Sequence, residues 1–474
     1  MTDVHVRDAE DRERLISLYG ITGELVRRVH DALGAGRSDE AVALVAPLHA
    51  ADMADLLEQL PGAERDFLVE SLGTSLEAKT YTHLDDAVRE DIIENIDNAA
   101  LANVVVELEH DDAIDFIESL EATDQQEVLE AMPAQDRVLL EDSLRFPEES
   151  AGRLMRRDVA TIPSYWNVGQ TIDFMRSDAE LPSEFYLLMV VGPTLQPIGV
   201  VPLSRLLRTT RPVGIADIME TQIRSIPAQM DQEEVAFVFR QYGLVSAPVV
   251  DEHGRLIGVI DVDDIVNVID EEAEEDLLKL AGVREDDFYD AVIDTIRSRF
   301  SWLLVNLMTA ILASVVIGLF DAVIEKVVAL AVLMPIVASM GGNAGTQTLT
   351  VAVRALAVKE LTAANAFRII GKETLVGGVN GIIFAIVIGV VATLWFGQPI
   401  IGVIIGAAMI INLLLAGVAG TVIPLALDRW GVDPAVGSSV VLTTITDVVG
   451  FFAFLGLAFS PSLGWLHGYC YDER

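Results

Sequence analysis

Apolar and polar positions alternate with different periods along the chain, and the changes of period mark its parts. From about residue 10 to 145, apolar residues recur at helical spacing with Asp and Glu opposite, which predicts a run of short helices. "LHAADMADLLEQLP" (Leu48–Pro61) resembles "LEHDDAIDFIESLE" (Leu108–Glu121), and "FIESL", "VLEAM" and "LLEDSL" recur from Phe116, Val128 and Leu139. Helices repeated in this way stack as a superhelix, because each buries its Leu and Ile only against its neighbours. From about 150 to 270 the pattern becomes mixed strand and helix, and it is doubled. "LMRRDVATIPSYWNVGQTIDFMRSD" (Leu154–Asp178) aligns with "IMETQIRSIPAQMDQEEVAFVFRQY" (Ile218–Tyr242). Each copy then reaches a strand, "LQPIGVVPLSRLL" (Leu195–Leu207) and "GRLIGVIDVDDIV" (Gly254–Val266).

Asp261 to Phe300 reads as helix dense in carboxylates, and helical spacing puts Glu272, Glu275 and Asp276 on one face. Such a face is either a solvated linker or a place where a cation relieves the repulsion of packed like charges. Five apolar segments follow, at about 301–320, 327–353, 375–396, 399–427 and 436–460. Each has room for a span of ~20 residues. Arg297 and Arg299 precede the first, Arg354, Lys359, Arg368 and Lys372 follow the second, and Arg429 follows the fourth. The other loops hold Lys326 and the terminal Arg474. Basic loops stay in the cytoplasm, so the N-terminal domains are expected there, in a multi-pass protein of the cell membrane with its C-terminus outside. The opening "MTDVHVRDAEDRERL" has no apolar core and does not read as a secretory signal.

Charge and cysteine content narrow the chemistry. The net charge is −40, with nearly all the excess acid before residue 300. Such a surface repels nucleic acid and anionic lipid and attracts cations. The single cysteine, Cys470, allows no intrachain disulfide and no thiolate metal site, so any metal must take oxygen ligands, which suit magnesium, calcium or manganese. His30, His49, His83 and His110 are scattered and read as surface residues. There is no nucleophile–base set and no phosphate loop, which argues against an enzyme.

Asp447 is the one charge within the five apolar segments, with no Lys or Arg there to pair with it. A carboxylate at that depth costs about 2.5–3.5 kcal/mol on insertion scales. Either it is a neutral acid bonded to a neighbouring helix, or it faces water and a mobile cation. The second segment supplies neutral oxygens in "PIVASMGGNAGTQTLT" (Pro335–Thr350), whose paired glycines permit a bend or a close helix approach. Magnesium gives up its water reluctantly, so a path for it needs a few carboxylates and many acceptors. A two-fold dimer would bring two copies of Asp447 to one axis. Two other readings stand beside a hydrated divalent cation passing between subunits: a proton- or sodium-coupled carrier using Asp447 as relay, and a non-transporting membrane-anchored sensor.

The doubled Met…Ile-Pro…helix…Gly-Val order resembles a tandem CBS pair, a module that commonly binds adenine nucleotides or metal ions. Nucleotide-binding copies often carry Ser or Thr after the last strand and Asp three residues on. Here those places hold Pro202 and Arg205, then Asp261 and Asp264, so ATP at the pair is an expectation that the acids oppose. With "MGGNAGTQT" and "TTITDVVGFFAFLGLA" added, essentially the whole chain resembles the MgtE family of magnesium channels. The fold class implied is multidomain: an all-α superhelical N-domain (1–148), an α/β tandem CBS pair (149–272), an acidic connecting or plug helix (273–299) and an all-α five-helix transmembrane domain (300–474).

The resemblance further implies a homodimer with an axial pore, and Mg2+ as both substrate and regulator. It gives Asp447 as the pore carboxylate, Asp433 in "GVDPA" as an acid near the cytoplasmic mouth, and Asn343 in the glycine-rich motif. The sensor acids would be Asp111 and Asp115 in "HDDAIDF", Asp231 and Glu233 in "MDQEEV", Asp264, Glu272, Glu275 and Asp276. Bound ions at these acids would hold the pore shut. Asn267 and Gly243 stand where the family pattern would place further acids.

Overall fold

The computed structural model describes residues 20–94, 96–120, 122–177, 181–182, 184–283 and 292–460. They fall into two compact units, Met1–Asp270 and Glu271–Arg474.

The first unit begins with short helices, from Gly23–Gly34 to Ala134–Ser143, stacked around one apolar core. Leu56, Leu57, Leu68, Phe116 and Ile117 are wholly enclosed in it. Helix starts are set by side-chain caps, which satisfy amides that no intrahelical carbonyl reaches. Thr22 Oγ1 accepts from the Leu25 amide at 3.1 Å and Asp85 Oδ1 from Ala87 at 3.1 Å. One helix of this stack, α1 (His110–Glu118), turns Ala113, Ile114, Phe116 and Ile117 inward.

The doubled sequence becomes two three-stranded sheets of one topology. β1 (Thr161–Pro163), β2 (Leu187–Val191) and β3 (Pro197–Pro202) form one; β4 (Ile226–Pro227), β5 (Ser246–Val250) and β6 (Leu256–Asp261) form the other. In each, the first pair is parallel and the second antiparallel, with the register shifting at equivalent places, Val190/Val191 and Val249/Val250. The copies interlock. Met155, which opens the first copy, lies against Gly258 of the second, where a Cβ would come within 2.6 Å of its sulfur. Met219, which opens the second, lies in the same way against Gly199 of the first, at 2.9 Å. The "IGV" glycines therefore serve close approach of chain to chain.

The helical stack and the sheets are tied through a short helix, α2 (Ala151–Leu154), and the arginines around it. Arg153 donates to the carbonyls of Phe146 and Leu144 at 2.9 and 3.0 Å and pairs with Glu118. Arg156 pairs with Asp261 at the end of β6 and with Glu109 at 3.3 Å. Arg157 reaches Ser143 Oγ at 3.2 Å.

Helix α3 (Val262–Ala281) follows β6 directly. The acidic run is thus the second half of a helix that starts in the CBS segment, rather than a new element beginning near 273. Residues 284–291 of the expected connecting helix lie outside the described residues. The second unit then holds α4 (Val292–Gly318), α5 (Val328–Ala357), α6 (Ala366–Phe396), α7 (Pro399–Arg429) and α8 (Ser438–Phe459). All five are long and apolar enough to cross a membrane. α7 is the most enclosed and α4 the least. Val337, Ile404, Ile405, Phe454 and Leu455 lie in their common core. α5 is one helix through Pro335 and the paired glycines, with no bend; Gly341 and Gly345 serve close packing, while Gly342 faces open space. α6 begins earlier than expected and takes Arg368, Lys372 and Glu373 into the helix. The C-terminal residues 461–474 are outside the described set.

Candidate functional site

In the second unit, α5 has two unlike faces. Gly341, Gly345 and Leu349 are buried, while Ser339, Asn343, Thr346, Gln347 and Thr350 are exposed. The exposed residues recur at helical spacing, so they form one polar stripe. The Asn343 amide donates to Ser339 Oγ at 3.3 Å, and the Thr346 and Thr350 hydroxyls bond within the helix. A polar stripe along a helix of mean hydropathy 1.6 is not a surface for lipid tails, and it belongs against water or another polar face.

Asp447 lies on α8, which packs on α5 through Leu442 against Gly345. It is half-buried and has no hydrogen bond or ion pair with any described residue. The hydroxyls of Thr443, Thr444 and Thr446 are turned back onto carbonyls of their own helix.

The end of α3 meets the ends of these helices. Leu280 packs with Leu349, Val353, Ala435 and Leu442, and Ser439 Oγ donates to the Leu280 carbonyl at 3.1 Å. The Lys279 ammonium pairs with Glu275 and lies 2.9 Å from Asp433 Oδ2. The other Asp433 oxygen accepts from the Ala435 amide at 2.8 Å. Burial opposes the charge on Lys279, but Glu275 and Asp433 outweigh it and raise its pKa. Burial, then the nearby Asp433, raises Asp276. Glu272, Glu275 and Asp276 are all half-buried, as one helix face requires. Next, Gly282 at φ +70° lies against Trp302 with no room for a Cβ.

In the first unit the structure joins two of the expected acids. Asp111 on α1 and Asp264 in the first turn of α3 share a side-chain hydrogen bond. Burial raises the pKa of both; Asp111 raises Asp264 further, whereas Asp111 is raised by Asp112 and lowered by its hydrogen bond to Asp264. Asp264 Oδ2 also accepts from the Asp261 amide at 3.3 Å, while Asp111 Oδ1 is buried with no hydrogen-bond partner. Asp112 beside them is pushed up to about 6 by burial. Two touching carboxyls cannot both ionise unless a cation sits with them, so the pair holds a proton or draws a metal ion. Among the described residues, no three or more His, Cys, Asp or Glu converge as a ready metal shell. Two carboxylates suit an ion that keeps most of its water, as magnesium does.

The remaining expected sensor acids are placed differently. Asp115 is exposed, near Arg89 and Asp86. Asp231 caps the helix Gln232–Tyr242, accepting from the Glu233 amide at 3.0 Å. Gly243 ends that helix in a left-handed conformation, φ +62°, which explains glycine there in place of an acid. His110 is not a surface residue: it is half-buried with Nε2 2.9 Å from Ser143 Oγ, and burial then Arg157 push it down to about 4.

Residues 334–457 match the family model MgtE, described as a divalent cation transporter. Residues 48–149 match the MgtE intracellular N domain, and 215–271 match a CBS domain. A Bacillus subtilis protein named magnesium transporter MgtE is 32% identical over 317 residues, 66% of this chain and 70% of that one. The chain belongs to the MgtE family. A Thermus thermophilus MgtE is 31% identical over 325 residues, 68% of this chain and 72% of its own. A solved cytosolic domain of the Mg2+ channel MgtE in complex with ATP is 25% identical, with a TM-score of 0.47 over 51% of this chain and 99% of that one. The MgtE match at 334–457 covers the polar stripe and Asp447, the CBS match covers β4 to β6 and Asp264, and the N-domain match covers Asp111.

Three residues at or near the MgtE site escape the pattern of the sequence. Lys279 is a lone base in the acidic run of α3. Glu373 on α6 lies 3.5 Å from Thr348 of α5 and is mostly enclosed. Asn412 on α7 is fully buried. For Lys279 and Asn412 the signal available was a residue breaking a run: a base among acids, and a polar group in "GAAMIINLLLAG".

Proposed function

We propose that this MgtE chain is a magnesium-selective channel of the cell membrane, closed by cytosolic magnesium at acidic sites in its N-terminal and CBS domains. The observation that carries the reading is the exposed polar stripe of α5, with Asp447 unpaired on the adjoining α8. Both are satisfied if two chains meet there around a water-filled path, a homodimer with the stripes and two Asp447 carboxylates facing the axis. Hydrated magnesium would pass by outer-shell contacts, its charge met by the carboxylates and its waters by Asn343, Thr346 and Gln347. The N-terminal domains would lie in the cytoplasm and the C-terminus outside.

For gating, magnesium at Asp111 and Asp264 would replace the shared proton and hold α1 on α3. The face of Glu272, Glu275 and Asp276, with Asp433, is the second place for such ions. Asp115, Asp231 and Glu233 would add to the field that draws cations in. The CBS pair is not expected to hold ATP. Asp261 is engaged by Arg156 and Ser246, Asp264 by Asp111 and the Asp261 amide, and Arg205 by Glu220, so neither CBS copy offers a free group where the ribose contact is expected.

The test is wild type against Asp447→Ala in liposomes holding a magnesium-sensitive dye, under an imposed potential. Passage by wild type and none by an equally folded Asp447→Ala supports the reading. Equal passage by both sinks the assignment of Asp447. Uphill accumulation driven by a proton or sodium gradient would make the protein a carrier, and absence of flux with internal magnesium chelated would make it a sensor.

A further inference from the structure

We propose that Asn412 is a positioning residue for conduction, the spacer that sets how closely α5 and α8 approach in the channel. The inference rests on the conducting path proposed above. α7 is an apolar helix, and Asn412 is a lone amide in its enclosed middle, with no exposed surface. Its Nδ2 donates to the Val337 carbonyl of α5 at 2.8 Å. Its Oδ1 is buried without a hydrogen-bond partner. Leaving an amide oxygen unpaired in apolar surroundings costs free energy that leucine would not. The group is therefore poorly explained by stability and better explained by shape.

That shape is specific. Glycines from two other helices flank the amide. A Cβ on Gly450 of α8 would lie 2.8 Å from Nδ2 and 3.1 Å from Cγ, and a Cβ on Gly341 of α5 would lie closer still. The planar amide thus fills the gap between two glycine backbones and is bonded to one of those helices. Gly341 stands two residues before Asn343, within the span of the polar stripe, and Gly450 stands three after Asp447, one helical turn away. A change of width at Asn412 therefore moves the stripe relative to the carboxylate. Asn412 does not touch the ion in this account; it acts through the two helices that do.

The test uses the full chain in liposomes with the magnesium-sensitive dye. It compares wild type, Asp447→Ala, Asn412→Ala, Gly450→Ala and the double variant Asn412→Ala/Gly450→Ala, each checked for folding and dimer content. Each single change at the spacer is expected to lower maximal flux by about tenfold or more, since small misplacements of positioned groups are costly. The half-saturating magnesium concentration should change little. The double variant should recover most of the flux, because the methyl added at 450 fills space that the truncation at 412 leaves. Because flux is compared at equal folding and dimer content, that rescue reports the spacing of the helices and not stability alone. If Asn412→Ala does not fold, Gly450→Ala and the double variant still decide the matter. Wild-type flux in Asn412→Ala or Gly450→Ala, or a double variant no better than the poorer single, overturns the proposal even where Asp447→Ala is inactive. Wild-type flux in Asp447→Ala overturns the underlying path, and the spacer with it.

Discussion

Asp264 and Asp447 carry the same carboxyl group in opposite company. Asp264 touches Asp111 and feels Asp263, and both members of the touching pair are half-buried. Asp447 has no charged partner among the described residues and sits in a helix of mean hydropathy 2.0. A crowded carboxylate gains when a cation arrives and stays, because the ion cancels a repulsion already present. A lone carboxylate among neutral oxygens can attract an ion without holding it, which conduction requires. In the channel proposed above, crowding suits the sensor and isolation suits the path, and the two carboxyls lie in different units.

The crowded side stands on its arginines, so the hardest way to break the comparison is to remove one. Arg156 is 8% exposed and its partner Asp261 is 4% exposed. Arg156→Ala strands a buried carboxylate, which costs about 3–5 kcal/mol. The first unfolding transition of the full-length protein should fall accordingly, while magnesium flux through material that remains folded should persist. A stability change under about 1 kcal/mol would mean that solvent reaches the pair and that it belongs with exposed pairs.

Asp447→Asn tests the isolated side with a change of charge at constant shape. Flux should drop by about 100-fold, equivalent to about 2.7 kcal/mol, and Asp447→Glu should restore part of it. An Asn variant that conducts normally would show that the oxygen matters and the charge does not.

The two sides were not equally legible. The doubled CBS pattern, the five apolar spans and Asp447 follow from period, repeat and composition, which are local signals, and the structure shows the two matching sheets and five long helices they predict. The contact of Asp111 with Asp264 lies across 153 positions of sequence; the family resemblance names each acid, and nothing in the sequence pairs them. Lys279 reads as a chance base until Asp433 is found beside it. The glycines of α5 allowed a bend or a close approach, and only the neighbours Asn412 and Leu442 decide for approach. His110 looked like a surface histidine because nothing local announces Ser143 and Arg157. Where a tertiary neighbour sets a residue's role, the pattern around it is silent.

Asp264→Asn sharpens the crowded side. The amide relieves repulsion as a proton would, but offers no charge to a metal. Magnesium should stabilise the wild-type protein against heat, and chelation should undo that. In the variant the magnesium concentration for half the effect should rise by about tenfold, near 1.4 kcal/mol. An unchanged response would move the sensor away from this pair.

Lys279 is where the two kinds of site come closest in character, since a tethered ammonium takes the place a cation would have between Glu275 and Asp433. The groups are about one-third exposed, so the pair belongs with screened contacts worth about 0.2–1 kcal/mol, a shift of roughly 1.5- to 5-fold. Lys279→Met leaves the stem of the side chain and removes its charge. The end of α3 should then sit less firmly on Ala435 and Ser439, and more internal magnesium should be needed for half-closure, with Lys279→Arg close to wild type. A shift in the other direction would carry its own meaning: magnesium would be entering the place the ammonium left, and a free ion there would close the channel better than the tethered one.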